Sequence, residues 1–305
     1  MRRWRLATAS DPQLATHPSY ELDRCGACGT AVTLDANDAA APLYEGGTYA
    51  AERRAFAPLL APLRRLAERD RLRFLASVPQ GARVLEVGAG DGRFVAMLAA
   101  AGFEAQGIEP SPSACEAAAR IGAPVVNASA EAAAIDAGAQ DAVVFWHALE
   151  HTADPGTVVA RAREWLAPGG RLIVAVPDLA SVQARIGGDR WFHQDVPRHR
   201  THFTRAGLVR LLARTGLRVV RVRHLLVEQN PLGMWQTLLN RLTRERDFAF
   251  RLIKRDLAGV DRGTIARDLV VTAIAGPLLV PVALGLELAA GIAGRGGSMV
   301  VEAVR

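Results

Sequence analysis

The chain has 305 residues and is half hydrophobic, long enough to bury a sizeable core and too apolar for an intrinsically disordered polymer. Its net charge of +6 is carried almost wholly by arginine, since Lys254 is the only lysine. With abundant alanine, that bias reads as a GC-rich coding preference and not as a nucleic-acid partner, while a modest basic excess suits an anionic membrane surface or an acidic substrate.

Taken in chain order, Met1–Ser10 carries charge but no apolar run of the kind a secretory signal needs, so a cytoplasmic location is expected. Residues 1–50 read as a polar leader punctuated by Pro and Gly. Within it, Cys25-Gly26-Ala27-Cys28 has zinc-knuckle spacing, but a tetrahedral site needs two further ligands. A second CxxC is absent, Cys115 belongs to the helical CEAAAR run, and only His17 and Asp35 could stand in nearby. The expectation is a glycine-shaped turn without metal. Residues 52–78 follow as a helical stretch interrupted at Pro58 and Pro62, with Leu59, Leu63 and Leu66 at helical spacing.

The run Val84–Phe94, VLEVGAGDGRF, joins a buried-strand pattern to a glycine-dense turn and an apolar-periodic helix. A dinucleotide fingerprint starting at Gly88 wants its third glycine at position 93, where Arg93 stands; Gly92 comes one residue early. The pattern is instead (D/E)xGxGxG with Glu86 as its acid. A second strand, Glu104–Glu109, ends on a carboxylate nineteen residues past Gly90, placed to accept two ribose hydroxyls. NAD enzymes place an acid similarly, so Glu109 supports a nucleoside without naming it; the bland alternative is a solvated carboxylate before Pro110-Ser111-Pro112. Val125 and Val126 read as a third strand and Ala142–Phe145 as a fourth, followed by LEHTADP. Pro168-Gly169-Gly170-Arg171 then leads into a fifth, Leu172–Pro177, and QDVPRHRTHFT closes the series at Gln194–Thr204.

These motifs, in this order over Val84–Val227, resemble the class I S-adenosylmethionine (SAM) methyltransferases, and LEHTADP with the PGGR strand resembles the group that includes the ubiquinone-biosynthesis O-methyltransferases. The resemblance implies an α/β fold: a Rossmann-like, doubly wound, mostly parallel seven-stranded sheet with an antiparallel final strand. It implies SAM as cofactor, with Gly88, Ala89, Gly90 and Gly92 at its methionine part and Glu86 bracing the loop and facing the amino group. Glu109 would hold the ribose, Pro110 or Ile108 would border adenine, and Ala130 with Glu131 would meet the adenine edge. The helix at 52–78 would cap that pocket. Some related methyltransferases also carry an RCxxCG segment followed by a tyrosine pair, which Arg24–Gly29 with Tyr44 and Tyr49 resembles.

Five of the seven histidines, His147, His151, His193, His199 and His202, fall on the acceptor side of this scheme. His147, directly after strand four, and His151, one helical turn on, are the favoured general bases. The alternative is that His151 pins its loop and the later three sit in a lid at 181–203; an amine or thiol acceptor would need no strong base. A nicotinamide oxidoreductase fails at Arg93 and cannot build a Tyr-x-x-x-Lys pair with Lys254 as sole lysine. An RNA methyltransferase lacks an Asn-Pro-Pro-Tyr motif and an RNA-binding module, so no nucleic acid is expected. A non-catalytic SAM-fold protein stays open.

Thr204–Arg214 reads as a helix capped by Gly216, and Leu217–Val227 as strand six. Arg241–Asp268 holds eight basic and five acidic residues among Phe248, Phe250, Leu252 and Ile253, as an interfacial amphipathic helix would. Leu269–Gly294 is twenty-six residues with Glu287 as its only charge, enough to span a bilayer. A single crossing would strand Ser298–Val304, the only candidate for strand seven, on the far side. The expectation is therefore a hairpin broken at Pro277 and Pro281, inserted at 229–296 between the core (51–228) and its final strand (297–305). It would dip into one leaflet, monotopic at the inner face of the cytoplasmic membrane, with 241–294 against anionic lipid. Packing on the domain, or a homodimer interface, is the alternative use of that surface. The acceptor would be a small, lipid-like or isoprenoid molecule.

Overall fold

The computed structural model describes residues 1–9, 18–36 and 69–305. His17, Tyr44, Tyr49 and most of the helix expected at 52–78 lie outside the described residues. The chain divides into two compact units, one formed by Glu68–Val176, Ala206–Val222 and Val300–Arg305, the other by Met1–Ala67, Pro177–Arg205 and Arg223–Met299.

The stretch read as a leader is a correction. It contains β1 (Arg2–Thr8), β2 (Ser19–Arg24) and β3 (Ala31–Thr33), antiparallel neighbours in a four-stranded sheet closed by β9 (Thr201–His202). Ala7, Leu22 and Ala31 are buried in these strands, Arg5, Glu21 and Arg24 are half-buried, and Arg2, Arg3 and Leu6 are exposed. Pairs this short, scattered among polar residues, carry too little pattern to be heard in sequence.

The first unit holds a seven-stranded sheet. Its inner strands β4 (Arg83–Val87), β7 (Gln140–Trp146) and β8 (Leu166–Pro177) are near-continuous apolar runs, because helices cover a parallel sheet on both faces. With β5 (Glu104–Glu109), β6 (Val125–Asn127), β10 (Arg218–Arg223) and β11 (Ser298–Val304), the order is β10-β11-β8-β7-β4-β5-β6, mostly parallel with the C-terminal strands antiparallel. β10 stops at Arg223, short of the expected Val227, and its three arginines blunt an edge that could otherwise pair with another chain. Glu302 of β11, buried, accepts from Ser77 Oγ (2.6 Å) and Arg171 Nη1 (2.5 Å).

Helix ends follow their caps. α1 (Arg93–Ala100) buries Phe94, Val95 and Leu98; α2 (Pro112–Arg120) is capped by Ser111, whose hydroxyl accepts from Ala114 N–H; α3 (Pro155–Trp165) is capped by Asp154, which accepts from Gly156 and Thr157. In the other unit stand α4 (Val182–Gly187), then, after α5 (Arg205–Arg214) has returned to the sheet unit, α6 (Asn230–Asn240), α7 (Phe248–Ile253) and α8 (Arg262–Ile292).

Two expectations are overturned in this last region. Arg241–Asp268 is not one amphipathic helix: α7 is six residues long, Phe248 is fully buried, and Arg251 is drawn inward by Glu245 and the carbonyls of Asp256 and Ala258. The apolar stretch is not a hairpin either, because α8 runs unbroken through Pro277 and Pro281. Proline removes one donor and crowds the preceding turn, but packing along one stripe overrides the break. Asp268, Gly276, Ala283, Glu287 and Ala290 are buried at helical spacing, and Trp235 Nε1 of α6 donates to Gly276 O (2.8 Å). Asp268 accepts from the backbone N–H groups of Arg244 and Glu245 at one end (3.0 and 2.7 Å); Glu287 accepts from Gly297 N–H and Gln183 Nε2 at the other (2.7 and 2.8 Å).

Candidate active site

In an open doubly wound sheet a ligand binds where the strand order reverses, outside the carboxyl ends of the strands. Here that point lies between β4 and β7, whose ends carry Gly88 and His147.

The glycine loop after β4 is pinned to the neighbouring strand. Gly88 and Ala89 N–H both donate to Ile108 O (2.9 and 3.0 Å), and Gly90 N–H donates to Glu109 Oε2 (2.9 Å). These three amides are spent inside the protein. A Cβ on Gly88 would come within 2.6 Å of Ala148 Cβ, so that glycine is required by packing. Gly90 differs: a Cβ there would meet nothing within 4 Å. It faces open space at the switch point, the shape a close-approaching ligand needs. Gly92 begins α1 in the left-handed region, φ 72°.

Glu109 stands at the tip of β5. Its second oxygen accepts from Ser111 N–H (2.9 Å), while its carbonyl and that of Pro110 accept from Asn127 Nδ2 (2.9 and 3.0 Å). The carboxylate thus bridges two loops. Glu86 is buried within β4, and Pro110 is exposed beyond Glu109. After β6, Ala130 is buried and its carbonyl accepts from Arg161 Nε (3.1 Å), while Glu131 is exposed.

At the end of β7, His147 turns into the left-handed region (φ 53°) with its N–H donating to Ala175 O (2.9 Å). Its Nδ1 lies 3.2 Å from Oε1 of Glu150, which is 1% exposed. A carboxylate at Nδ1 fixes the ring and favours the tautomer with a basic Nε2. Glu150 had no role in the sequence reading, although its i,i+3 spacing from His147 was the available signal. His151 closes the same short 3₁₀ turn, Leu149–His151, and is half-buried. Arg71 was also missed: its guanidinium lies 5.2 Å from the ring centroids of both Phe94 and Trp146, holding a cation beside the start of α1 and the end of β7. No pattern marks it, because the stack joins three distant segments.

The methyltransferase-domain family matches residues 59–222, just over half of the chain. The ubiquinone biosynthesis O-methyltransferase of Xanthomonas axonopodis pv. citri (strain 306) is 34% identical over 104 residues, 32% of this chain and 44% of that protein, so the chain spans less than half of that relative's length. Among solved structures, a SAM-dependent methyltransferase from Archaeoglobus fulgidus shares the fold, with a TM-score of 0.51 at 17% identity over 82% of this chain and 98% of that one. A possible histamine N-methyltransferase from Thermotoga maritima has a TM-score of 0.45 at 23% identity, covering 57% of this chain and 86% of that one.

Proposed function

The chain belongs to the SAM-dependent methyltransferases, and from that membership we propose that it methylates a small lipophilic acceptor at a membrane surface. Bound SAM supplies an already activated methyl group, so the protein has to position the nucleophile and, for a hydroxyl, take its proton. The open face at Gly90 and the carboxylate of Glu109 fit the cofactor. In this reading Gly88, Ala89, Gly90 and Gly92 border its methionine part with Glu86 behind them. Glu109 holds the ribose, and Pro110, Ala130 and Glu131 border the adenine. Arg71 offers its charge to the carboxylate. His147, oriented by Glu150, accepts the acceptor's proton at Nε2, with His151 the second candidate base.

The observation that carries the lipophilic acceptor is the outer face of α8. From Leu269 to Leu286 the helix has no charged residue, and Ile274, Leu278 and Ile292 are 65, 69 and 73% exposed. Exposed apolar surface of this extent marks a membrane or protein contact. The helix is about 46 Å long, yet it is stitched to its own unit at Asp268, Gly276 and Glu287, so it lies along a bilayer surface and does not cross. Exposed Arg262 and Arg295 flank the apolar face and suit headgroup phosphates. Pairing two copies antiparallel would instead lay the Arg262 end of one along the Arg295 end of the other, like charge on like.

Co-sedimentation with anionic vesicles, alongside calorimetric titration with SAM, S-adenosylhomocysteine and NAD, tests both halves. The expected result is vesicle binding and preference for the sulfonium ligands. Protein that stays monodisperse in the supernatant sinks the membrane half, and preference for NAD sinks the other.

A further inference from the structure

The turn joining β2 to β3 brings two thiols together on a backbone arranged to hold one of them as an anion. Its shape is fixed by hydrogen bonds from every side: Cys25 N–H donates to Thr30 O (2.8 Å), Gly29 N–H to Cys25 O (2.9 Å), Arg24 Nε to Gly29 O (3.0 Å) and Thr204 Oγ1 to Cys28 O (2.6 Å). Gly29 takes φ 77°, which lets the chain turn back into β3. Within this frame the backbone N–H groups of Cys28 and Ala27 and the Cys28 thiol favour the Cys25 anion. These donors lower the Cys25 thiol to about 7, so a large share is thiolate at neutral pH. Both cysteines are free and partly exposed. Cys115 differs, because burial pushes its thiol up.

We propose that Cys25 and Cys28 form a thiol–disulfide exchange site, a dithiol that a low-molecular-mass disulfide such as oxidised glutathione converts reversibly to an intramolecular bridge. The Cys25 thiolate attacks one sulfur of the disulfide; a Cys25–S bond forms, the S–S bond breaks, and one thiolate leaves with the electron pair. Cys28 then loses its proton to solvent and attacks the Cys25 sulfur, expelling the second thiolate. Two electrons pass from the protein to the small disulfide, which ends as two thiols. Residues at the ends of a four-residue turn lie within about 7 Å, inside the span a disulfide bridges. Thiolate availability and an adjacent resolving thiol are the two properties that make a cysteine pair exchange readily.

The test is intact and peptide mass spectrometry of the full chain incubated with oxidised glutathione at neutral pH. The expected product has lost two hydrogens, maps to one Cys25–Cys28 peptide and is reversed by dithiothreitol. Cys28→Ser should stop at a single glutathionyl adduct on Cys25. In the unmodified chain Cys25 should react on the order of tenfold faster than Cys115, with alkylation rising through a midpoint near pH 7. Equal reactivity of Cys25 and Cys115, a stable mixed disulfide in the wild-type chain, or thiols that react only after a chelator has removed a bound metal would each overturn the proposal. Serine on an exposed turn leaves the core untouched, so these outcomes are readable without loss of the fold.

Discussion

Glu109 ties the glycine loop to the tip of β5 through Gly90 and Ser111, and the proposed function gives the same carboxylate to a ribose. Glu109→Gln keeps the shape but leaves one carbonyl oxygen for two N–H donors and turns an amide NH2 toward the other, against bonds worth roughly 1.5–3 kcal/mol each when charge-assisted. SAM affinity by calorimetry should fall about 10- to 100-fold, and an unchanged Kd would remove Glu109 from the site. His147→Ala and Glu150→Gln act on the acceptor's proton, so with a hydroxyl acceptor they should lower kcat by about 10²- to 10⁴-fold and 10-fold or more respectively, leaving the SAM Kd alone. Near-wild-type turnover in both would discard the base. Asp178, 3% exposed, follows β8 and accepts from Ala180 N–H (2.9 Å); burial pushes its carboxyl up to about 6. An acid raised above its unfolded value of 3.8 adds stability that is complete below about pH 4 and lost as pH rises through about 6, of order 3 kcal/mol. His224, 3.9 Å away and lowered by burial, works in the opposite sense. The stability difference between wild type and Asp178→Asn isolates the first effect and should decline across that window; a flat difference in chemical denaturation refutes it.

α8 is held by its polar residues and shaped by its apolar ones. Glu287→Ala leaves the buried N–H of Gly297 without its acceptor and Nε2 of Gln183 with Asn230 O alone, which should cost about 3 kcal/mol in denaturant unfolding. An unshifted midpoint would mean that water replaces the carboxylate. Paired substitution of Ile274 and Leu278 by Glu sits on the exposed face, so it should leave stability within about 0.5 kcal/mol while abolishing vesicle binding. Retained binding would place the membrane contact elsewhere. The hairpin read from Pro277 and Pro281 illustrates the limit of local rules. Proline predicts a weak point, but whether a helix breaks there depends on α6, Gln183 and Gly297, none of which adjoins it in sequence.

At the scale of the whole chain, a net charge of +6 and the arginines flanking α8 predict that vesicle binding responds to salt. Affinity for anionic vesicles should drop as ionic strength rises from low salt to 0.5 M, where the Debye length shrinks below about 5 Å, but should not vanish, because the apolar face is unscreened. Salt-independent binding would show the arginines to be bystanders.

The motif region was legible because its chemistry is local. Glu86, the glycines, Glu109 and the strands β4, β5, β7 and β8 each declare themselves within a dozen residues, and strand seven, Ser298–Val304, was bounded correctly by its own pattern. The four-stranded sheet, the Glu150 partner of His147, the cation of Arg71 over Phe94 and Trp146, and the unbroken course of α8 were not legible. Apart from Glu150, which lies only three residues from His147, each depends on pairing between segments far apart in the chain, and the energy of such a contact is absent from any single window of sequence. Periodicity and glycine spacing determined the sheet and its ligand loop; only tertiary packing decided which charges met and whether a proline broke its helix.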